Sequence, residues 1–599
     1  MKSLAKGEQG GTPPGALAPL LVMVAVAALS MLVQRRTLGA FFTPDDLVFL
    51  RMARAAESQA GAVQGWRWLS SSTFRALANG PFGIDPVPYH ALNLVLLAIA
   101  SALLFLLARR WGASTAAAAA GAACYGVSRV HFTALASASS HGEFLAVTLL
   151  LTALLVAARS GIRMACAAAL VVAALLAKES VMLVPLAALL VPAPAAGGRS
   201  SRPAGHLLVV ALASLAAGGL LLGVGRSSGA LAGGAYEIAF GRNLADSLFT
   251  LLQWSLDGVR AIPDLATEPD PLAFVWGLPS ALAIGALAWW SRRRAPLVAV
   301  GAAWWVLAVL PVLPLVHQTY LHYLVTPWAG FGLAIAGLAD LAFAWAAGRT
   351  MDARVASLAR GGALLACLIA CTFALAQERL LDRRWTERLP GGDIPRDPVL
   401  RKSEFTRRVV EETAQALAGR RARVAYLVLD GAQEQLDVRS GERQALDGGA
   451  AVPVRHALPV TLDDGAVLRL LVPTVDSVLF VRKWMGPLED FEHFYAFGDM
   501  HLQPLGRPPG AYERMALGLV GAGLPEPAVS LLDGASGAWP ERPSLLWAHA
   551  IALARTGRHE RARARLRDIV RIAPEDSFAV RAREALASLP DGASGAGRR

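Results

Sequence analysis

The chain has 599 residues, 55% of them hydrophobic and 17% charged, and 57 Lys and Arg against 45 Asp and Glu leave a formal net charge of +12. No soluble core hides that much apolar surface, so the composition excludes an ordinary water-soluble enzyme and predicts a polytopic membrane protein with a soluble portion. The positive charge does not indicate nucleic acid, because the arginines gather between apolar segments, where orientation in a membrane accounts for them.

Residues 1–14 form a polar leader with Lys2 and Lys6, expected in the cytoplasm, and an apolar run follows over 17–33. The run is long for a signal-peptide core and no small-residue cleavage site follows it, so it reads as a retained signal anchor. The first loop, 36–88, then lies outside, which in a bacterial-looking chain is the periplasm. It opens with Phe41-Phe42-Thr43-Pro44-Asp45-Asp46-Leu47, two adjacent carboxylates where the chain leaves the bilayer. Carboxylates beside hydrocarbon are costly and mark a functional place by default.

Further apolar segments cover 89–108, 113–127, 144–158, 164–176, 181–191 and 207–224. Several are short for a hydrocarbon layer about 30 Å thick, so their ends must extend into polar flanks. Basic loops at Arg109-Arg110, Arg159 with Arg163, Arg199 with Arg202, Arg292-Arg293-Arg294, and Arg349 with Arg354 and Arg360 pair the segments without conflict if each is cytoplasmic. Residues 247–259 are amphipathic and contain Asp257, so they are expected to lie on the outer surface as an interfacial helix. Spans at 272–290, 296–316, 320–346 and 361–376 bring the total to eleven. An odd count sends the chain from Gln377 onward to the side of the two aspartates. Cys124, Cys166, Cys367 and Cys371 all lie in apolar stretches and read as small core residues rather than a disulfide framework or zinc site.

The C-terminal part divides in two. Val- and Leu-rich runs at 423–430 and 466–481 predict a small sheet within 378–505. From Ala511 onward, Ala516, Gly523, Ala528, Leu532 and Pro540 recur 34 residues later as Ala550, Gly557, Ala562, Leu566 and Pro574. That period and small-residue pattern predict two tetratricopeptide-like helix pairs over 506–590, with a capping helix at 577–589. The tail, 591–599, is expected to be disordered. The expected fold is therefore mainly α: a polytopic transmembrane domain over 15–377, a small α/β soluble segment, then helical repeats.

The outer loops carry the chemistry. Beyond the aspartates come Gly83-Ile84-Asp85-Pro86, Tyr89-His90 and Asn93 at the mouth of the second span, where His90 and Asn93 share a helical face. Arg129, His131, His141 and Glu143 precede the fourth span, Lys178-Glu179 sits between the fifth and sixth, and His317-Gln318-Thr319-Tyr320-Leu321-His322-Tyr323 opens the tenth. All fall on the outer side in this topology. Local capping, a turn-closing Lys178-Glu179 pair and ordinary exposure are the plainer alternatives.

In order, the early acidic pair, the Gly-x-Asp-Pro and Tyr-His-x-x-Asn opening, the His-rich loop, the Lys-Glu pair and Tyr-Leu-x-Tyr-Leu resemble the C-type membrane glycosyltransferases. The nearest resemblance is to the protein O-mannosyltransferase-like members with tetratricopeptide repeats after the membrane domain. It covers roughly residues 15–375, extended by the repeats. The resemblance implies a polyprenyl-phosphate-linked sugar as donor and a periplasmic protein or glycan as acceptor. It also implies a bacterial inner-membrane location, with contacts to membrane lipids and a protein partner at the repeats. One departure stands out, since the late-span motif often has an arginine where this chain has His322, a weaker phosphate partner.

On chemical grounds, Asp45 or Asp46 would deprotonate the acceptor hydroxyl. Lys178, Arg129, His317 and His322 would meet the leaving phosphate, with Glu179 and Tyr323 lining the site. A single carboxylate base without a covalent intermediate would invert the anomeric centre. Two carboxylates alone argue weakly for a divalent metal, so no cofactor is expected. A transporter would place its polar groups near the bilayer midplane in related halves. A scaffold built around the repeats would need fewer spans.

Overall fold

The protein is seen in a computed structural model that describes residues 17–54, 67–157, 161–191, 205–227, 237–256, 271–316, 319–348, 386–389, 392–395, 398–430, 458–459, 461–496 and 501–590. The chain divides into two compact units, residues 1–40 with 52–385, and residues 41–51 with 386–599.

The first unit is a helix bundle. Its helices are α1 (Leu17–Gln34), α2 (Pro44–Arg54, whose first part belongs to the second unit), α3 (Trp68–Asn79), α4 (Val87–Arg110), α5 (Thr115–Val127) and α6 (His141–Val156). They continue with α7 (Ile162–Ala177), α8 (Gly205–Ser227), α9 (Arg242–Leu256), α10 (Pro271–Ser291), α11 (Pro296–Val309) and α12 (Val325–Gly348). Six helical stretches, Leu17–Gly39, Val87–Arg110, Ala138–Val156, His206–Gly223, Ala273–Ser291 and Leu321–Ala344, are long and apolar enough to cross a membrane. Ile162–Ala177, Glu179–Leu190 and Pro296–Val309 are shorter apolar helices. The expected span at 361–376 lies outside the described residues. The expected span at 181–191 is two short 3-10 turns, Glu179–Val181 and Val184–Leu190; Pro185, which lacks an N–H, suits the start of the second.

Glycines set the closest helix approaches. A Cβ on Gly121 of α5 would run into the Gly332 carbonyl of α12, and one on Gly301 of α11 into the Gly330 carbonyl of α12. Small residues at such crossings let backbones touch where lipid offers no hydrophobic drive to pair. Polar contacts tie α1 in, with Ser30 Oγ 3.2 Å from Ser101 Oγ and Gln34 Nε2 donating to the Ser128 carbonyl at 2.9 Å. The Asp340 carboxylate accepts from the Ser114 N–H at 3.0 Å, putting negative charge at the start of α5. The amphipathic stretch expected from residue 247 is part of α9, whose Phe249, Leu251, Leu252 and Trp254 are buried, and which packs on α10 and on the turn Leu321–Leu324. Cys124 is half-buried and Cys166 exposed, so Cys166 is not the core residue expected of it.

The second unit holds β1 (Thr386–Leu389), β2 (Gly392–Pro395), α13 (Pro398–Leu417), β3 (Ala422–Leu427), α14 (Ala466–Leu471), β4 (Val475–Val481), β5 (Phe491–Ala496) and β6 (Leu502–Gly506). The helices α15 (Gly510–Gly521), α16 (Pro525–Ala538), α17 (Pro543–Arg555), α18 (His559–Ile572) and α19 (Ser577–Ser588) follow. The four-stranded sheet runs β4-β3-β5-β6, with β3 parallel to both neighbours and β6 antiparallel to β5. Alternate residues of β3 and of the two positions after it serve two cores: Val424, Tyr426 and Val428 pack with Phe405 and Val409 of α13, while Ala425, Leu427 and Leu429 pack with Tyr512, Met515 and Leu519 of α15. Burial on both faces explains why this strand reads as a continuous apolar run. The expected strand over 466–481 is α14 followed by β4.

In the helical tail, α15 packs on α16 and α17, and α17 on α18 and α19. Gly523 and Gly557, 34 residues apart, adopt φ of +74° and +75° in the turns after α15 and α17, a backbone that glycine accepts without strain. Ala516, Ala528 and Leu532 and their 34-residue counterparts Ala550, Ala562 and Leu566 are all buried. Between α16 and α17, His549 is fully buried, its Nδ1 3.0 Å from Ser536 Oγ and its Nε2 3.1 Å from Asp533 Oδ1.

Candidate functional site

In the first unit, four separate segments meet in one ionic cluster. Lys178 ends α7 in an extended conformation, which turns its side chain and that of Glu179 to different partners. Lys178 Nζ lies 2.6 Å from Glu143 Oε1 in the first turn of α6, and both side chains are almost fully buried. Glu179 accepts a two-pronged bond from Arg67, just ahead of α3, with Nε to Oε2 at 2.9 Å and Nη2 to Oε1 at 2.5 Å. Planar guanidinium against carboxylate is the geometry in which such a pair is strongest. Lys178 Nζ also stands 5.8 Å from the centre of the Tyr323 ring. In that last segment Tyr320 and His322 stack at 5.0 Å, and His322 meets Tyr323 edge-on at 4.8 Å.

Other predicted residues act as pins at the same end of the bundle. His90 Nδ1 donates to the Leu135 carbonyl at 2.9 Å, and Asn93 Nδ2 to the Ser137 carbonyl at 2.8 Å. Their three-residue spacing on α4 thus grips the short chain between α5 and α6. His141 Nε2 reaches the Ser70 carbonyl at 3.0 Å, tying α6 to α3. The turn Arg129–His131 packs against Leu321–Leu324 with Arg129 half-buried. His131 is fully buried, and burial pushes its imidazole down to about 3, against the opposing hydrogen bond to the Tyr125 carbonyl. His131 is therefore neutral. His317 lies outside the described residues.

The two aspartates belong to the second unit. Thr43 is the N-cap of α2: its carbonyl accepts from the Leu47 N–H, its N–H donates to Asp46 Oδ2 at 2.8 Å, and its Oγ1 accepts from the Asp46 N–H at 3.3 Å. With Pro44 at the first helical position, this is a reciprocal capping box. Asp46 is buried in that role, while Asp45 is exposed. On the same segment Arg51 Nε pairs with Asp463 Oδ2 at 2.5 Å. Phe42, Leu47 and Leu50 are buried, so part of the expected first loop belongs to the C-terminal unit.

Neither a protein-family model nor a curated protein matches the chain. The cluster must therefore be argued from its own chemistry. It offers two cations, a hydrogen-bonding aromatic wall and two carboxylates, a set suited to an anion held beside a polar organic group. Among the described residues, no three His, Cys, Asp or Glu side chains gather as a metal-binding group. Sequence reasoning missed Arg67. Nothing in the sequence singled it out, since Lys178 was the obvious partner for Glu179 and the first loop also holds Arg36, Arg51, Arg54 and Arg75.

Proposed function

We propose that the protein is an integral membrane glycosyltransferase that moves a sugar from a polyprenyl-phosphate donor to a protein or glycan acceptor. The observation that supports it is the buried Lys178–Glu143 pair beside Arg67–Glu179 and the Tyr320-His322-Tyr323 wall at one end of an apolar bundle. Ionisable groups next to hydrocarbon are expensive and are kept for substrates or for one another. In this reading Lys178 and Arg67 stabilise the phosphate as the glycosidic bond breaks, and the aromatic wall lines the sugar. The base for the acceptor hydroxyl is proposed on the sequence motif alone: Asp45, exposed in the first turn of α2, takes that role, while Asp46 fixes the start of that helix. The transfer inverts the anomeric centre.

The finer topology belongs to the same proposal: eleven spans, a cytoplasmic N-terminus, a bacterial inner membrane, and a periplasmic C-terminal unit. The helix pairs of that unit act as tetratricopeptide-like repeats that hold a protein, which tilts the acceptor toward protein. The test is mass spectrometry of periplasmic proteins and surface glycans from cells with the wild-type chain, without it, and with Lys178→Met. A hexose-type increment lost in both altered strains is expected. Identical glycans in all three would overturn the reading.

A further inference from the structure

We infer that the ionic cluster takes up a proton when it takes up its phosphate ligand, and that Glu143 receives it. The inference rests on the proposed donor, a phosphodiester with one permanent negative charge. Among the described residues two basic side chains, Lys178 and Arg67, face two acidic ones, Glu143 and Glu179, so a cluster with all four ionised carries no net charge. Both cations are already engaged. Lys178 Nζ has three N–H donors, but its side chain is only 9% exposed, so a phosphate oxygen that approaches it competes with Glu143 Oε1, which sits 2.6 Å away. The side chains involved are 9% and 4% exposed, so water does not take the cation's place. The displaced carboxylate would be buried, without its cation and beside a second anion, and a buried acid in that position neutralises rather than stays charged.

Glu179 is not equivalent to Glu143. It is held by two bonds to Arg67, and that pair is more open to solvent, at 19% and 26%. The other titratable groups nearby are Tyr125 of α5, His131 in the turn after α5, whose ring meets Phe144, His141 in the same turn of α6, and His322 and Tyr323 around Lys178. His131 and His141 each hold a backbone carbonyl, and His322 is stacked on Tyr320. Glu143 is the carboxylate in direct contact with Lys178.

Calorimetry of the full chain in detergent tests this, with farnesyl methyl phosphate as probe. That phosphodiester does not titrate near neutrality, so any proton taken up goes to the protein. Titrations in two buffers of different protonation enthalpy count the protons. About one proton per ligand is expected, with affinity weakening about tenfold per pH unit as pH rises through the coupled range. Glu143→Gln should bind without proton uptake and with a flat pH profile. A ligand-induced infrared difference spectrum of the wild type should gain a protonated-carboxyl band. Binding with no proton taken up, or without that band, overturns the inference and leaves the phosphate reading standing, as does uptake that persists in Glu143→Gln. Absence of binding by the wild type overturns both.

Discussion

Thr43-Pro44-Asp45-Asp46 separates two neighbouring carboxylates by environment. Asp46 closes the capping box on Thr43, so Asp46→Ala should lower the stability of its unit by about 1 kcal/mol, seen in denaturant unfolding. Asp45 points out of the same turn, so Asp45→Asn should leave that midpoint in place while abolishing the proposed transfer. Loss of stability in both, or of transfer in neither, would remove the distinction. At the ionic cluster, Lys178→Met strands a buried carboxylate and should cost about 3–5 kcal/mol in thermal or denaturant stability. Adding Glu143→Gln removes the stranded charge, and the double variant should regain most of the loss. A simple sum of the two single effects would mean that the pair is not coupled.

Between elements, close backbone approaches add to the buried side-chain core of the bundle. Gly301 faces the Gly330 carbonyl, and a methyl group there has to push α11 off α12. Gly301→Ala should destabilise by about 1–3 kcal/mol. Gly219 on α8 has open space where a Cβ would stand, so Gly219→Ala should be neutral or slightly favourable by helix propensity. Thermal melts of the purified protein compare the two. In the second unit, burial pushes His549 down to about 4, with Arg565 and Arg561 acting the same way and Asp533 opposing. The folded state thus holds the neutral imidazole. Its contribution is complete above the unfolded value of about 6.5 and is lost as pH falls from there through 4, on the order of 3 kcal/mol. His549→Gln should flatten that part of the stability profile; an unchanged acid limb would place the effect elsewhere.

Across the whole molecule, what the sequence makes legible depends on the range of the signal. Long apolar runs and the 34-residue offset are local or periodic, and the helices α1, α4, α8, α10 and α12 and the pairs α15 to α18 lie where those signals fall. Of the stretch 466–481, expected to contribute to a sheet, residues 475–481 do so and 466–471 are helical, because a short Val- and Leu-rich run has no period to separate helix from strand. Gly465, at φ +89°, precedes the helix that the strand reading overlooked. The types of residue in the site were visible in Glu143, Lys178, Glu179, His322 and Tyr323, but their pairing was not. Glu179 bonds Arg67 across 112 residues, a distance over which no pattern in one sequence carries information. The membership of residues 41–51 in the C-terminal unit was equally hidden, since it depends on contacts such as Arg51 with Asp463. A fragment of residues 386–599 should therefore melt at a lower temperature than the same fragment fused to 41–51.

That borrowed segment also sets a timetable for biosynthesis. Residues 41–51 leave the ribosome roughly 335 residues before Thr386 does, an interval of about 20 to 70 s at ordinary elongation rates. Phe42, Leu47 and Leu50 must wait through that interval for the partners that will cover them. Assembly of this protein is consequently not a left-to-right process: its second unit stays incomplete until one of the earliest pieces made is reunited with the last.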